Sequence, residues 1–187
     1  MAKSGLRIEG YVIVSADGML ADKSHRMPDS LKFKADQRFF EAALDAAAII
    51  VHGRNSFEDH PRSAQRSRII VTRKVNALAA DPENTKAILW NPLGASFDDA
   101  CARAGIASGV AAIIGGPEVF GMFMDRYDTF WLSQAHGLRL PGGEGCFPAV
   151  PEKSPQDVLA AHGLRASDIR KLDPAHNVDV TAWRRPA

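Results

Sequence analysis

The sequence predicts an α/β protein whose central sheet is mostly parallel, with an antiparallel edge near the carboxyl terminus. Short apolar runs, typical of strands buried on both faces, recur along the chain. Segments with helical spacing separate most of these runs, and this alternation favours parallel strands joined by helices. The last two or three runs have no long helix between them, which indicates the antiparallel edge.

Length and composition indicate one domain over residues 1–187. With 187 residues, 45% of them hydrophobic and 24% charged, the chain can bury a core, but two independent domains would be cramped. A net charge of +1 argues against a nucleic-acid partner. No long apolar segment follows the amino terminus, so we expect no signal peptide, no membrane span and a cytoplasmic location.

The cysteines give no sign of a disulfide or a metal site. Cys101 and Cys146 are far apart in the sequence and show no metal-ligand spacing, so we expect reduced thiols and no bound metal. The zinc-deaminase signature, H-x-E with P-C-x-x-C, is also absent from the sequence.

The first half of the chain predicts two strands and one long helix. The strands are the apolar runs Tyr11–Val14 and Ala48–Val51. Asp17-Gly18 is a strong turn signal after the first strand, because glycine accepts positive φ and aspartate bonds its own backbone. Asp29 can cap a helix to about Ala47, whose apolar stripe is Phe33, Phe40, Leu44 and Ala47.

The second half predicts further strands and shorter helices. Four apolar or alternating runs are predicted strands: Arg68–Thr72, Ala87–Trp90, Thr129–Ser133 and Val178–Arg184. Ser96 is a suitable cap for a helix to about Ala104, and a short helix is predicted from Pro155 to His162. Residues 138–151 are rich in glycine and proline and predict a loop.

The chain is organised around the segment Val110–Phe120. Its apolar strand ends abruptly at Gly115-Gly116, and Pro117 suits the first turn of a helix that reaches about Met124. Two glycines leave room for another molecule to approach the backbone, and the start of a helix favours a phosphate. An ordinary strand-to-helix turn has the same spacing, so this segment alone does not define a ligand site.

Three predicted strand ends carry residues that suit a dinucleotide phosphate. They are Gly53-Arg54-Asn55-Ser56, Thr72-Arg73-Lys74 and Gly115-Gly116-Pro117. Ligands of α/β sheets gather beyond the carboxyl ends of strands, and arginine binds phosphate through two parallel hydrogen bonds. Each cation taken alone fits a solvated surface charge equally well. No G-x-G-x-x-G follows the first strand, so an ordinary Rossmann fold is poorly supported.

The order of these motifs resembles the dihydrofolate reductase superfamily. The resemblance rests on Ala16-Asp17-Gly18 after the first strand, followed by the three strand ends above, then Val119-Phe120 in the helix and Trp131-Leu132-Ser133 in the next strand. Gly145-Cys-Phe-Pro148 is similar to the loop that leads to the last hairpin. The resemblance covers most of the chain and implies a three-layer sandwich with an NADPH-dependent reductase activity.

The resemblance implies an NADPH site and assigns residues to it. Arg54, Asn55 and Ser56 would meet the phosphates, and Thr72 and Arg73 the 2′-phosphate. The nicotinamide would be walled by Ile13, Leu20, Ala21, Ile114 and Phe120. The other implied cofactor-binding residues are Gly53, Lys74, Gly115, Gly116, Pro117, Glu118 and Val119. The Gly115–Gly116 peptide bond would be cis.

The resemblance also implies a substrate acid. Asp29-x-x-x-Phe33 is similar to the family's helix that carries an acidic residue and an aromatic wall, so Asp29 would be catalytic and Phe33 would contact substrate. A desolvated carboxyl there would have a raised pKa and could bind a ring edge or deliver a proton. Asp29 fits a helix cap equally well. Ser15 and Ser133 are further candidate substrate residues, and Asp17 is a second candidate catalytic residue or only a turn residue.

Within the superfamily, two features look more like the pyrimidine reductase domain of riboflavin biosynthesis: the Ser15–Gly18 turn, and Asp45-Ala46 before the second strand. That branch implies a homodimer that reduces a ribosylamino-pyrimidine phosphate; candidate cations for the phosphate are Lys23, His25, Arg26 and Lys34. The deaminase half of its bifunctional members is missing from this sequence. Dihydrofolate reductase is the alternative, and a non-catalytic nucleotide-binding protein is an alternative of another class.

Overall fold

The computed structural model describes residues 5–55 and 62–187. The strands are β1 (Gly5–Ser15), β2 (Met19–Ala21), β3 (Ile49–Gly53), β4 (Arg68–Val71), β5 (Leu78–Ala80), β6 (Ala87–Trp90), β7 (Ser108–Ile113), β8 (Thr129–Ala135), β9 (Glu144–Gly145), β10 (Arg165–Asp173) and β11 (Val178–Arg184). The helices are α1 (Lys34–Ala46), α2 (Phe97–Arg103), α3 (Pro117–Met122) and α4 (Pro155–Ala161). Short 3₁₀ turns lie at Asp29–Leu31, Ser63–Gln65 and Pro174–His176.

The main sheet has the strand order β10-β11-β8-β1-β7-β3-β4-β6-β5. The strands from β8 to β6 in this order are parallel to their neighbours, which confirms the predicted parallel centre. β11 and β10 form the predicted antiparallel edge. β5 adds a second antiparallel edge at the other end of the sheet, which the sequence analysis did not predict.

Helices cover both faces of the sheet. One face packs against α1, where Leu44 joins Tyr11, Ile50 and Ala112 in a small core. The other face carries the larger core, to which α2, α3 and α4 contribute. Close packing there needs Gly10, because a Cβ at that position would lie 2.3 Å from Phe130. The result is the predicted three-layer α/β arrangement.

Local signals explain several of the element boundaries. Ser96 and Asp99 form a reciprocal capping box at the start of α2. Ser154 caps α4, and Gly163 follows that helix with φ +82. Cys101 and Cys146 are both free and buried. Across the described residues, we find no helix with the length and apolar character needed to cross a bilayer.

One boundary prediction is wrong and matters for the site. The helix predicted from Asp29 begins instead at Lys34, and Asp29 lies in the preceding 3₁₀ turn. Phe33 is the residue before the helix, not part of its stripe, and makes no side-chain cap. The stripe that α1 presents to the sheet therefore starts one turn later and includes Asp36, four residues before Phe40 and eight before Leu44.

Candidate active site

The three predicted strand ends lie side by side at one edge of the sheet. β7, β3 and β4 are adjacent and parallel, so their carboxyl ends meet. The Gly53 N–H donates to the Gly115 carbonyl at 2.9 Å, and the Ile114 N–H donates to the Val51 carbonyl at 3.0 Å. Thr72 follows β4 at the same edge. The prediction that these segments share one edge is confirmed.

The Gly115–Gly116 segment has the backbone that the sequence analysis expected. The peptide bond between the two glycines is cis, and Gly115 has φ +117, a region that favours glycine. Gly116 caps α3 and Pro117 occupies its first turn. Because α3 has only six residues, its dipole is small, and the bare glycine backbone is the stronger feature of this junction.

Cationic side chains surround this edge. Arg54, Arg73 and Lys74 are exposed, and none of the three makes an ion pair with the residues that the structure describes. The Lys74 N–H donates to the Thr72 hydroxyl at 3.2 Å, which orders the turn after β4. Three solvated cations at one edge of the sheet suit the phosphates of a dinucleotide. Ser56, which was also predicted to contact the phosphates, lies outside the described residues.

The other residues assigned to the cofactor differ in exposure and charge. Asn55 is exposed beside Arg54, whereas Glu118 is an exposed carboxylate that would repel a phosphate, so only its backbone suits the site. Ile13, Leu20 and Ile114 are partly exposed and leave apolar surface free. Ala21 is buried.

Two predicted cofactor contacts, Phe120 of the nicotinamide wall and Val119, have side chains buried in the core. Phe120 is 1% exposed and packs edge-to-face with Phe130 and Phe147 in the larger core. Val119 is also buried in that core. Both side chains lie on the inward face of α3 and hold this helix against the sheet by packing into the core. The assignment of the Phe120 ring to the nicotinamide wall is therefore corrected.

A buried carboxyl group lies on α1, at Asp36. Its residue is 7% exposed, in the first turn of the helix. Burial raises the pKa of Asp36 to about 6, against the opposing effect of a hydrogen bond from Ser133. Ser133 is buried on β8, directly beside Ile13 of β1. Ser133 is among the residues predicted from the sequence and Asp36 is not, although the spacing Asp36–Phe40–Leu44 places that acid on the apolar stripe.

Asp29 is not the desolvated acid that the sequence analysis expected. Its side chain is 97% exposed and pairs with Lys32 at 2.9 Å. The hydrogen bond from Lys32 lowers the pKa of Asp29, the opposite of the expected direction. Asp29 does not cap α1 either, since the helix starts five residues later. Phe33 is half-buried and its ring contacts that of His176 at 5.7 Å.

Asp17 and Ser15 are engaged within the fold. The Ser15 hydroxyl donates to Asp17 at 2.5 Å, and the same carboxylate oxygen accepts the Leu140 N–H at 3.0 Å. Ser15 Oγ also accepts the Met19 N–H at 3.1 Å. These bonds tie the turn between β1 and β2 to residues 138–140. The geometry gives Asp17 a role in fixing this turn, which agrees with the turn signal in the sequence.

Within the described residues, no group of three or more histidine, cysteine, aspartate or glutamate side chains could hold a metal ion. The fold and the edge just described are those of α/β proteins whose ligands bind beyond the carboxyl ends of parallel strands. The model of the dihydrofolate reductase family matches residues 11–166. The chain belongs to that family, whose members are typically NADPH-dependent reductases.

Solved structures share this fold at low sequence identity. Dihydrofolate reductase from Enterococcus faecalis, complexed with NADP(H) and RAB-propyl, is 17% identical with a TM-score of 0.65, and the match covers 98% of both chains. A diaminohydroxyphosphoribosylaminopyrimidine deaminase/5-amino-6-(5-phosphoribosylamino)uracil reductase from Thermotoga maritima is 15% identical with a TM-score of 0.63. That match covers 96% of this chain and 56% of the Thermotoga chain. No curated protein sequence matches this one.

Proposed function

We propose that the protein uses NADPH to reduce a C=N bond in the ring of a dihydropterin, the reaction type of dihydrofolate reductase. The observation that carries this proposal is the buried carboxyl of Asp36, hydrogen-bonded to Ser133, on the helix that begins at the cofactor edge. A pterin ring presents adjacent nitrogen donors to such a carboxylate, which can accept two hydrogen bonds. The match to the dihydrofolate reductase family model supports this choice.

Asp36 would bind the ring through its carboxyl group and provide the proton for the reduction. With a pKa of about 6, the carboxyl is partly protonated near neutral pH. In the reduction, the ring carbon of the C=N bond gains a hydride and the ring nitrogen gains a proton. A carboxyl whose pKa lies close to the working pH is suited to provide that proton, directly or through one water. Ser133 would hold the carboxyl in a fixed orientation.

The cofactor would be held by the side chains and backbone at the strand ends. NADPH, when bound, supplies the hydride. Arg73 and Lys74 would bind its 2′-phosphate, and Arg54 the bridging phosphates. Ile13, Leu20 and Ile114 would form the apolar surface against the nicotinamide. The exposed cations and the partly exposed apolar side chains fit these groups.

The sequence-based preference for the pyrimidine reductase branch rested on the Ser15–Gly18 turn and on Asp45-Ala46 before β3. Because Asp17 accepts hydrogen bonds from Ser15 and Leu140, its carboxylate has an internal role that needs no ring contact. The family model also supports the dihydrofolate reductase alternative rather than that branch. We therefore prefer a pterin ring as the substrate.

A direct assay tests the proposed function. Purified protein is expected to oxidise NADPH when given a 6-substituted 7,8-dihydropterin, because the ring alone carries the groups that Asp36 recognises. The loss of NADPH absorbance measures the rate. If NADPH were consumed only with the ribosylamino-pyrimidine phosphate, the protein would be assigned to the riboflavin branch instead. Binding of NADPH without consumption in either case would favour the non-catalytic alternative.

Replacing Arg73 tests the cofactor site separately. Arg73→Ala is expected to weaken NADPH binding by about 10- to 100-fold, the equivalent of one charge-assisted contact to phosphate. NADH binding should change little, since NADH has no 2′-phosphate. Fluorescence titration of both cofactors measures the difference. Arg103→Ala is a matched control, because Arg103 is exposed at the end of α2 that precedes β7, at the opposite edge of the sheet. Equal losses for NADPH and NADH would show that Arg73 is misassigned.

A further inference from the structure

The strand β10 is a long edge strand whose side chains are mostly exposed. It has nine residues, Arg165–Asp173, and seven of them are exposed. Among the described strands it pairs only with β11, so its outer backbone edge has no strand beside it. Ile169, at its centre, is 65% exposed. An edge of this length, with an apolar residue at its centre, can pair with another strand unless its side chains prevent this.

Two features of β10 are those by which edge strands commonly avoid pairing: charged side chains and an irregular register. The charged residues are Arg165, Asp168, Arg170, Lys171 and Asp173. The register with β11 shifts between Ala166 and Ile169 and again between Lys171 and Asp173, which confines regular backbone pairing to the middle of the strand. Whether the charges repel a second strand depends on which of them would lie opposite each other.

Asp168 and Arg170 lie on the face of the sheet that α1 covers, whereas Ile169 lies on the other face. The Arg170 guanidinium lies 5.8 Å from the centre of an aromatic ring of α1. Asp168 pairs at 3.2 Å with Arg184, which lies over the Trp131 ring, and that ring contacts the same ring of α1. Because side chains alternate along a strand, Ile169 points away from α1. Opposite charges therefore flank an exposed isoleucine.

A twofold axis at Ile169, perpendicular to the sheet, brings opposite charges of two copies together. Such an axis makes the two β10 strands antiparallel and keeps the two faces of the sheets aligned. Asp168 of each copy then lies opposite Arg170 of the other, and Arg165 lies opposite Asp173. The two Ile169 side chains meet on the axis. Moving the axis by one residue puts two Asp168 or two Arg170 side chains opposite each other, which like-charge repulsion disfavours.

The first residues of β10 border a cavity that extends this edge. The cavity has a volume of about 270 Å³ and is lined by Ala160, Gly163, Leu164, Arg165, Ala166 and Trp183. In the register centred on Ile169, the turn Pro174–His176 of the second copy follows its β10 past this cavity. Pro174 and Ala175 in that turn are exposed. Their burial there would add contact area to two strand edges, which alone are small for a stable interface.

We propose that two copies of this chain associate through antiparallel pairing of their β10 strands, with Ile169 on the twofold axis. The pairing joins two nine-stranded sheets into one continuous sheet. The charges select the register, and the paired isoleucines remove apolar surface from water. This association does not depend on the proposed function, since β10 carries none of the residues assigned to NADPH or to the ring.

A charge exchange tests both the pairing and its register. Wild-type protein is expected to sediment at micromolar concentration as a dimer, with twice the chain mass of 20.2 kDa. Arg170→Asp alone, or Asp168→Arg alone, places like charges opposite each other and should weaken self-association at least about tenfold. Both substitutions in one chain restore opposite charges across the axis, so this double variant should dimerise like wild type. Analytical ultracentrifugation over a concentration series measures each dissociation constant.

Arg103→Asp is the matched control, because it makes the same charge change as Arg170→Asp at an exposed residue of α2, away from β10. It is expected to dimerise like wild type. A wild-type protein that stays monomeric throughout the series would overturn the proposal. A dimer that persists in both single variants would place the interface elsewhere and would also overturn it. Failure of the double variant to restore the dimer, with thermal melts unchanged, would rule out the register centred on Ile169.

Discussion

Asp36→Asn is expected to lower kcat for dihydropterin reduction by about 100-fold or more, within the range typical for loss of a general acid. Asparagine keeps the shape of the side chain and its bond with Ser133, but it has no proton to deliver at this position. The rate of the wild-type protein should fall as pH rises through about 6, the pKa that burial gives Asp36. The variant should show no such step. Steady-state rates across this pH range measure both effects.

The same substitution is expected to stabilise the protein at high pH. The folded-state pKa of Asp36 is raised from 3.8 to about 6, so ionisation opposes folding. Neutral Asp36 makes its full contribution to the free energy of unfolding below pH 3.8, its unfolded-state pKa. That contribution is lost as the pH rises through about 6. The loss amounts to about 3 kcal/mol by pH 8. Asp36→Asn should therefore melt about 6–12 °C above wild type at pH 8 and at the same temperature near pH 3.

Asp29→Asn is the matched control for this pair of effects. Asp29 lies seven residues earlier, is almost fully exposed and pairs only with Lys32 among the described residues. We expect its rate profile and melting temperature to stay close to wild type, since surface ion pairs contribute little. A large loss of activity in Asp29→Asn, with Asp36→Asn active, would return the catalytic role to Asp29.

The sequence predicted the buried part of the fold well. β6 and β11 have the predicted bounds, because each is an apolar or alternating run closed by turn residues. β10 was missed because Arg165–Asp173 is an edge strand whose residues are mostly exposed, and so it lacks any hydrophobic periodicity. β5 and β9 were missed because two or three residues are too few to show a period.

The candidate site was predicted where backbone and charge define it. Gly115, Arg73 and Arg54 were found from their positions at strand ends, which topology brings to one edge. The proposed acid, Asp36, was not among the predicted residues because the motif spacing at Asp29 was given more weight than the apolar stripe of the helix. Asp36 lies on that stripe, and a carboxyl among apolar residues is the signal of a shifted pKa. The helix start at Lys34 could not be predicted, since Phe33 provides no capping side chain.

Gly115→Ala is expected to weaken NADPH binding more than tenfold and to lower the melting temperature by about 2–12 °C. Gly115 has φ +117, where an alanine is strained by about 1–3 kcal/mol. Its Cβ would also lie 3.2 Å from the Phe120 ring, which the surrounding core holds in place. Relief of this strain would move the carbonyl that accepts the Gly53 N–H, and so the paired strand ends. Fluorescence titration and thermal melts measure the two losses.

Gly121→Ala is the control, because Gly121 lies only six residues after Gly115. It distinguishes the effect of a side chain at Gly115 from a general sensitivity of this segment to substitution. Gly121 is exposed within α3, and a Cβ there would meet nothing closer than Pro148 at 3.8 Å. Alanine should stabilise the helix by about 0.5–1 kcal/mol and leave NADPH binding unchanged. If Gly115→Ala bound NADPH as well as Gly121→Ala does, the glycine junction would have no part in the cofactor site. The strand ends would then bind NADPH through Arg54, Arg73 and Lys74 alone.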